Sequence, residues 1–155
     1  MENKRFGLGV IVCVFNKDFS RILLLKRNKE KRNINKADWG NVGGRVEWGE
    51  KLDEACIREA KEEIGINLNI KRLKIIEIKE TTQNPIAPEV HFLHFVYATT
   101  IDENEKLTLN FNCNGESDCY EWFDLNELPD KTLDSKEHLI QLSITAKKEF
   151  LEDEK

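Results

Sequence analysis

Short runs of apolar residues, bounded by turn-forming residues, recur along the chain and predict β-strands. The first two runs are separated by Asn16, Lys17 and Asp18, so we expect two adjacent antiparallel strands there. A turn containing Pro85 and Pro88 separates two longer runs further along the chain. The predicted strands cover residues 6–15, 21–26, 73–82, 90–100, 106–111 and 119–123.

Two other segments repeat their apolar residues every three to four positions, the spacing that gives a helix one apolar face. The first, residues 52–64, places Cys56 and Ile64 on one side and is followed by Gly65, a residue type common just past a helix end. The second, residues 134–150, repeats its apolar residues in the same way. Strands mixed with two sizeable helices predict an α/β fold with a mixed β-sheet between helices.

Glycine is concentrated in residues 39–47, between the second predicted strand and the first predicted helix. This density suits a backbone that turns sharply or approaches a ligand closely. A polar loop is predicted for residues 28–38, and a single helical turn for residues 125–128. The glycines of the segment before the helix are Gly40, Gly43 and Gly44.

The chain has 155 residues, the size of one ordinary domain, so we expect a single domain over residues 1–155. No stretch approaches the roughly 20 apolar residues that cross a bilayer, and the first residues lack a signal-peptide cleavage pattern. The expected location is therefore the cytoplasm, without membrane contact. The cysteines are irregularly spaced and predict reduced thiols rather than disulfides or a metal clip; they are Cys13, Cys56, Cys113 and Cys119.

The formal net charge of −5 argues against stable, nonspecific binding to nucleic acid, which needs a basic surface. A phosphate-bearing ligand would need positive charge from a metal ion or from the basic stretch in residues 26–36. The simpler interpretation of that stretch is a solvated loop. The oligomeric state is left open, a homodimer included.

Three acidic residues of the first predicted helix, Glu59, Glu62 and Glu63, occur at i, i+3 and i+4 and therefore share one helix face. Such crowding of like charge is unfavourable unless a cation binds. A hard divalent ion such as Mg²⁺ or Mn²⁺ prefers these oxygen ligands. A helix that carries the acids only for solubility is the alternative.

The segment from Gly44 to Ile66, GRVEWGEKLDEACIREAKEEIGI, resembles the Nudix box of the MutT-like pyrophosphohydrolases. Looser similarity is seen in the first two strands and near Trp39 and Trp122, so the resemblance covers most of the chain. The chain departs from the common pattern at Val42, where many members have proline. The matching residues are Gly44, Glu50, Arg58, Glu59, Glu62, Glu63, Gly65 and Ile66, with Ala60 in place of a larger aliphatic residue.

The resemblance implies an α/β/α sandwich and a Mg²⁺ cofactor, with Mn²⁺ as a substitute. It also implies that Arg58 orients a glutamate through a salt bridge, and it leaves two candidates for the catalytic base, Glu59 and Glu116. The metal ligands that it implies are Gly44, through its carbonyl group, Glu50, Glu59, Glu62 and Glu63.

The substrate residues are less well defined by the sequence. Asn41, Gly43 and Gly44 are candidates because they form the glycine-rich segment, and Trp48 could stack on a base, although large aromatic residues more often pack in cores. His91 and His94 are three residues apart on a predicted strand, so they face opposite sides and form no metal site.

The leading hypothesis is a Mg²⁺-dependent Nudix hydrolase that converts a (d)NTP or an oxidised (d)NTP to the monophosphate and pyrophosphate. A nucleotide-sugar or dinucleoside-polyphosphate hydrolase is the alternative within the enzyme class. A non-catalytic nucleotide-binding regulator is the alternative of another class.

Overall fold

The computed structural model describes residues 3–28, 36–109 and 120–154. Within them, strands and helices follow one another as the sequence pattern predicts, with differences given below. The strands are β1 (Arg5–Phe15), β2 (Arg21–Lys26), β3 (Trp39–Gly40), β4 (Val42–Arg45), β5 (Lys74–Thr81), β6 (Val90–Thr100) and β7 (Tyr120–Asp124). The helices are α1 (Leu52–Ile64) and α2 (Lys136–Asp153), with a short 3₁₀ helix at Ile70–Arg72.

All these strands belong to one mixed sheet in which five strands follow the order β3-β2-β1-β6-β5. Strand β4 pairs with β1, and β7 pairs with β2. Strands β1 and β6 are parallel along eleven residue pairs, whereas the other pairs are antiparallel. The predicted β1–β2 antiparallel pair and the predicted mixed sheet are therefore confirmed.

Helix α1 covers one face of the sheet because its buried residues meet alternate residues of β1. Successive side chains of a strand point to opposite faces, so the even-numbered residues of β1 share the α1 face. Gly65 ends the helix in the left-handed conformation, with φ of 72°, and its amide donates to the Lys61 carbonyl. The buried contacts on this face include Val10, Val12 and Val14 of β1 and Ala55, Cys56, Ala60 and Ile64 of α1.

Helix α2 packs on the opposite face. Ser135 caps its N-terminus, since the Ser135 hydroxyl accepts a hydrogen bond from the His138 amide at 3.1 Å. The His138 ring also contacts two carboxylates, Asp134 at 2.6 Å and Glu77 of β5 at 2.9 Å. The core on this face includes Cys13, Phe15, Val96 and Ala98 of the sheet and Leu139, Leu142, Ala146 and Phe150 of α2.

The strand predicted at residues 106–111 is wrong over residues 106–109, and residues 110 and 111 lie outside the described part. Leu107 and Leu109 do pack against the α1-side core, which explains the alternating pattern. The backbone, however, bonds to the end of a helix instead of a strand: the Thr108 amide donates to the Ile64 carbonyl at 3.0 Å.

Two other local predictions also differ from the structure. Within the glycine-rich segment, where a sharp turn or a close approach to a ligand was expected, residues 39–40 and 42–45 form strands β3 and β4, and Gly43 pairs with Ile11 of β1. Residues 125–128 form a hydrogen-bonded turn, in which the Glu127 amide donates to the Asp124 carbonyl at 2.9 Å, without becoming helical.

The cysteines that the structure describes, Cys13 and Cys56, are both buried free thiols, and burial raises the pKa of each. Cys113 and Cys119 lie outside the described residues. Among the residues described, neither helix combines the length and the apolar character needed to span a bilayer.

Candidate active site

Arg58 of α1 lies at the centre of a cluster of carboxylates. Its Nε and Nη2 atoms donate to the two oxygens of Glu50 at 2.7 and 3.0 Å, a paired geometry that a guanidinium fork favours. Its Nη1 atom donates to Glu59 at 2.9 Å and to Glu62 at 3.3 Å. A further bond to the Arg45 carbonyl at 2.9 Å connects α1 to β4. Arg58 therefore fixes three glutamates and the end of the strand.

Glu59 is largely enclosed, because only 12% of its side chain is exposed. Its carboxylate lies directly against Gly44 of β4: a Cβ atom built on Gly44 would be 2.2 Å from Glu59 Oε1. Only glycine leaves room for this contact. The requirement for glycine at this place in the motif therefore follows from the approach of an acidic side chain to the strand backbone.

The other two helix acids extend the cluster along the edge of β4. The Gly43 amide donates to Glu63 Oε2 at 3.2 Å, so the glycine pair contacts two acids of the ridge that are one helical turn apart, Glu59 and Glu63. Glu62 is about half exposed and accepts only from Arg58 among the described residues. We call Glu59, Glu62 and Glu63 the acidic ridge.

The electrostatics of the cluster follow from burial and from Arg58. Burial raises the pKa of Glu59 in spite of the Arg58 hydrogen bond and charge. The pKa of Glu50 is lowered, chiefly by its hydrogen bond from Arg58. The same bond raises the pKa of Arg58, which is therefore a permanent cation. The cluster thus contains one permanent positive charge, that of Arg58, among several carboxylates.

The chemistry of the donor set fits a hard divalent cation, because carboxylate and carbonyl oxygens are the ligands available. Arg58 occupies one oxygen of Glu59 and one of Glu62, and in the described part of the chain the second oxygen of each accepts no hydrogen bond. Among the described residues, no group of three acidic, histidine or cysteine side chains is arranged around one metal position. Both oxygens of Glu50 accept hydrogen bonds from Arg58, so the Glu50 side chain positions the Arg58 guanidinium within the cluster.

The remaining predicted site residues are Asn41, Trp48 and Glu116. Asn41 follows β3, and its Oδ1 atom is buried and has no hydrogen-bond partner in the part of the chain that the structure describes. Trp48 is fully exposed in the turn between β4 and α1. Glu116, the second candidate base, lies outside the described residues.

Nothing in the sequence pattern singles out Arg45, which the structure connects to the site. Its carbonyl accepts the Arg58 bond, and its guanidinium lies 5.8 Å from the centre of the Phe92 ring on the opposite face of the sheet. The signal that could identify it is its place directly after the glycine pair, where a β4 side chain must point away from α1.

Comparison with known proteins decides the family. The model of the NUDIX domain matches residues 5–142, which is most of the chain. The chain belongs to the Nudix family. The match includes both the acidic ridge and the sheet that supports it, so the sequence resemblance is confirmed.

Curated Nudix relatives differ in the substrates that their names give. Dihydroneopterin triphosphate diphosphatase from Escherichia coli K12 is 30% identical over 76 residues, 49% of this chain and 47% of that protein. An ADP-ribose pyrophosphatase from Methanocaldococcus jannaschii is 31% identical over 121 residues, 78% of this chain and 64% of that protein. Nucleoside triphosphatase NudI from Klebsiella pneumoniae is 26% identical over 129 residues, 81% and 88% of the two chains. The chain spans about half the length of the first of these relatives.

Solved Nudix structures share the fold. The MutT Nudix hydrolase from Burkholderia pseudomallei superposes with a TM-score of 0.68 at 24% identity, covering 90% of this chain and 98% of that one. The predicted α/β/α Nudix architecture, with a mixed sheet between helices, is therefore confirmed.

Proposed function

We propose that this Nudix protein is a Mg²⁺-dependent pyrophosphohydrolase that cleaves a (d)NTP or an oxidised (d)NTP to the monophosphate and pyrophosphate. The observation that carries the proposal is the acidic ridge, in which Arg58 and Gly44 hold the Glu59 carboxylate against the backbone of β4. The names of two relatives, a triphosphate diphosphatase and a nucleoside triphosphatase, support a triphosphate substrate.

Each residue of the cluster has a role in this proposal. Glu59, Glu62 and Glu63 hold Mg²⁺, or Mn²⁺ in its place, together with the Gly44 carbonyl. Glu50 either adds a ligand or positions Arg58, and its two bonds to Arg58 favour positioning. When bound, the metal supplies positive charge that offsets the negative charge of the phosphates.

The proton acceptor for the attacking water is either Glu59 or Glu116. Glu59 has one oxygen that Arg58 leaves open among the described residues, which favours it on geometry. Asn41, Gly43 and Trp48 remain candidates for substrate contact. Of these, Asn41 has the more direct support, because a buried acceptor without a partner is unfavourable until a ligand bonds to it.

A second candidate function is hydrolysis of a nucleotide sugar, and the similarity to an ADP-ribose pyrophosphatase favours it specifically. Both candidates share the diphosphate chemistry and differ only in the group attached to it.

The test is hydrolysis of nucleoside triphosphates, oxidised triphosphates, dinucleoside polyphosphates and nucleotide sugars with Mg²⁺, with each product identified by chromatography. We expect pyrophosphate from a triphosphate, and loss of at least about tenfold in rate for Glu62→Gln, because removal of a ligand weakens a metal site at least as much as removal of its supporting groups. Glu149→Gln, which removes the same charge from an exposed position of α2, is the control.

Release of a sugar phosphate and a monophosphate, without turnover of triphosphates, would favour the nucleotide-sugar function. Binding of nucleotides without any product would indicate a non-catalytic regulator.

A further inference from the structure

Among the described residues, helix α2 covers only part of its sheet face, and the rest lies beyond the start of that helix. Helix α2 begins beside Glu77, where His138 contacts the carboxylate. Two residues further along β5, paired residues from four neighbouring strands form a row across the sheet. Paired residues of neighbouring strands point to the same face, which here is the face opposite α1. The residues of this polar row are Lys79, His94, Gly9 and Arg45.

The His94 ring reaches across β1 towards the proposed metal ligand Gly44. A Cβ atom on Gly9 would lie 2.7 Å from His94 Cδ2 and 3.0 Å from His94 Nε2. The same position is 3.3 Å from the Gly44 carbonyl oxygen. The Cδ2 and Nε2 atoms of His94 and the Gly44 carbonyl oxygen therefore all lie close to the position that a Gly9 Cβ atom would occupy. Because Gly9 has no side chain, the His94 ring can lie over β1 at this position.

His94 differs from the other histidines in its surroundings. His91 contacts Glu80 at 2.6 Å, and His138 contacts two carboxylates, whereas His94 has no hydrogen-bond partner among the described residues. Burial and the charge of Lys79 lower the pKa of His94. A neutral imidazole has one donor and one acceptor nitrogen, so this ring offers two unused hydrogen-bonding groups.

A neighbouring aromatic ring, Phe92, is buried and stacks against His94. Phe92 lies over Gly7, and its ring plane is within 20° of the His94 plane, with 5.4 Å between the ring centres. The Arg45 guanidinium lies 5.8 Å from the centre of the Phe92 ring and belongs to β4, the strand whose Gly44 contacts the acidic ridge. An imidazole held in place by a stacked ring can hydrogen-bond to a heteroaromatic group, whereas a phosphate would favour the cationic side chain at the β4 end of the row.

We propose that His94 is a specificity-determining residue, which hydrogen-bonds to the heteroaromatic base of the substrate while Arg45 lies on the phosphate side. This inference rests on the proposed function, since it assumes that the diphosphate binds at the acidic ridge. It adds a residue and a face of the sheet that the chemistry of the ridge does not specify. The base would enter along the row, past Phe92, and end beside the Gly44 carbonyl.

The kinetic test compares variants at the two histidines of β6, which face opposite sides of the sheet. His94→Leu should lower kcat/KM for the best nucleotide about five- to tenfold, the effect expected from one lost hydrogen bond. The ratio between purine and pyrimidine triphosphates should change by a similar factor, and His94→Gln should restore part of it. The control, His91→Leu, should leave the ratio within about twofold. Equal losses for all bases would overturn the proposal.

A binding test works even without turnover, because the chain has only three histidines and their ring protons are readily separated by NMR. Addition of the α,β-methylene analogues of GTP and ATP with Mg²⁺ should shift the His94 ring signals. Inorganic tripolyphosphate, which has no base, should leave them in place. Equal shifts with tripolyphosphate would contradict base contact. If no nucleotide is hydrolysed, the hydrolase function fails, and this titration still decides the role of His94.

Discussion

Replacement of Arg58 by alanine tests the claim that one cation holds the acidic cluster together. The side chains of Arg58, Glu50 and Glu59 are 23%, 13% and 12% exposed, so removal of the arginine leaves two enclosed carboxylates without their partner. Breaking a fully buried pair in this way costs about 3–5 kcal/mol. Partial exposure and solvent screening reduce the effect, and we expect a loss of about 2 kcal/mol.

The assay is thermal unfolding at neutral pH followed by circular dichroism. For a chain of this length, about 2 kcal/mol lowers Tm by roughly 4–8 °C. Arg58→Lys retains the charge but loses the paired geometry, so it should fall between the parent and Arg58→Ala. Lys61→Ala, on the exposed side of the same helix, is the matched control and should change Tm little.

The same variant has a pH dependence whose direction is fixed by Glu50. The folded-state pKa of Glu50 is lowered, so its contribution to stability is present above its ordinary pKa and is lost as pH falls through the lowered value. The difference in stability between the parent and Arg58→Ala should therefore narrow in acid. A Tm for Arg58→Ala equal to that of Lys61→Ala, or a difference that stays constant with pH, would refute the reasoning.

Three further predictions concern other residues. Gly44→Ala places a Cβ against Glu59 and should lower stability by about 1–3 kcal/mol and any hydrolysis about 100-fold, whereas Gly40→Ala, where a Cβ has ordinary contacts at 3.6 Å, should do neither. The raised pKa of His138 predicts a contribution to stability that is complete below about pH 6 and is lost as pH rises through that pKa, so the difference in unfolding free energy between the parent and His138→Gln should shrink with pH. Cys56, whose pKa burial raises to about 12, should resist thiol labelling at pH 8 until the protein unfolds, as peptide mass spectrometry can show; labelling at the rate of a free thiol would contradict its burial.

The sequence was sufficient to predict the elements whose periodicity is strong. Helix α1 was predicted because its apolar residues repeat at helical spacing and Gly65 follows them, and the structure ends the helix at that glycine. The long parallel pair of β1 and β6 was predicted as two strands, but their pairing was not, because periodicity along one segment carries no information about its neighbour in the sheet.

Tertiary context explains what the sequence pattern missed. Residues 106–109 alternate like a strand, yet Thr108 bonds to the end of α1, since apolar alternation fixes only which side chains are buried. The acidic ridge was predicted from spacing, whereas the position of His94 beside Gly9 depends on register between strands. Residues whose positions depend on register, such as His94 and Arg45, therefore need the structure to be recognised.

The most direct test of the central claim is a titration of the protein with Mn²⁺, followed by electron paramagnetic resonance of the free ion. If the acidic ridge binds a divalent cation, the parent should bind Mn²⁺ and release it to excess Mg²⁺. Glu62→Gln should then weaken binding by at least about tenfold, and Glu149→Gln should leave it unchanged. Equal affinity in the parent and Glu62→Gln, or no binding by the parent, would contradict the account.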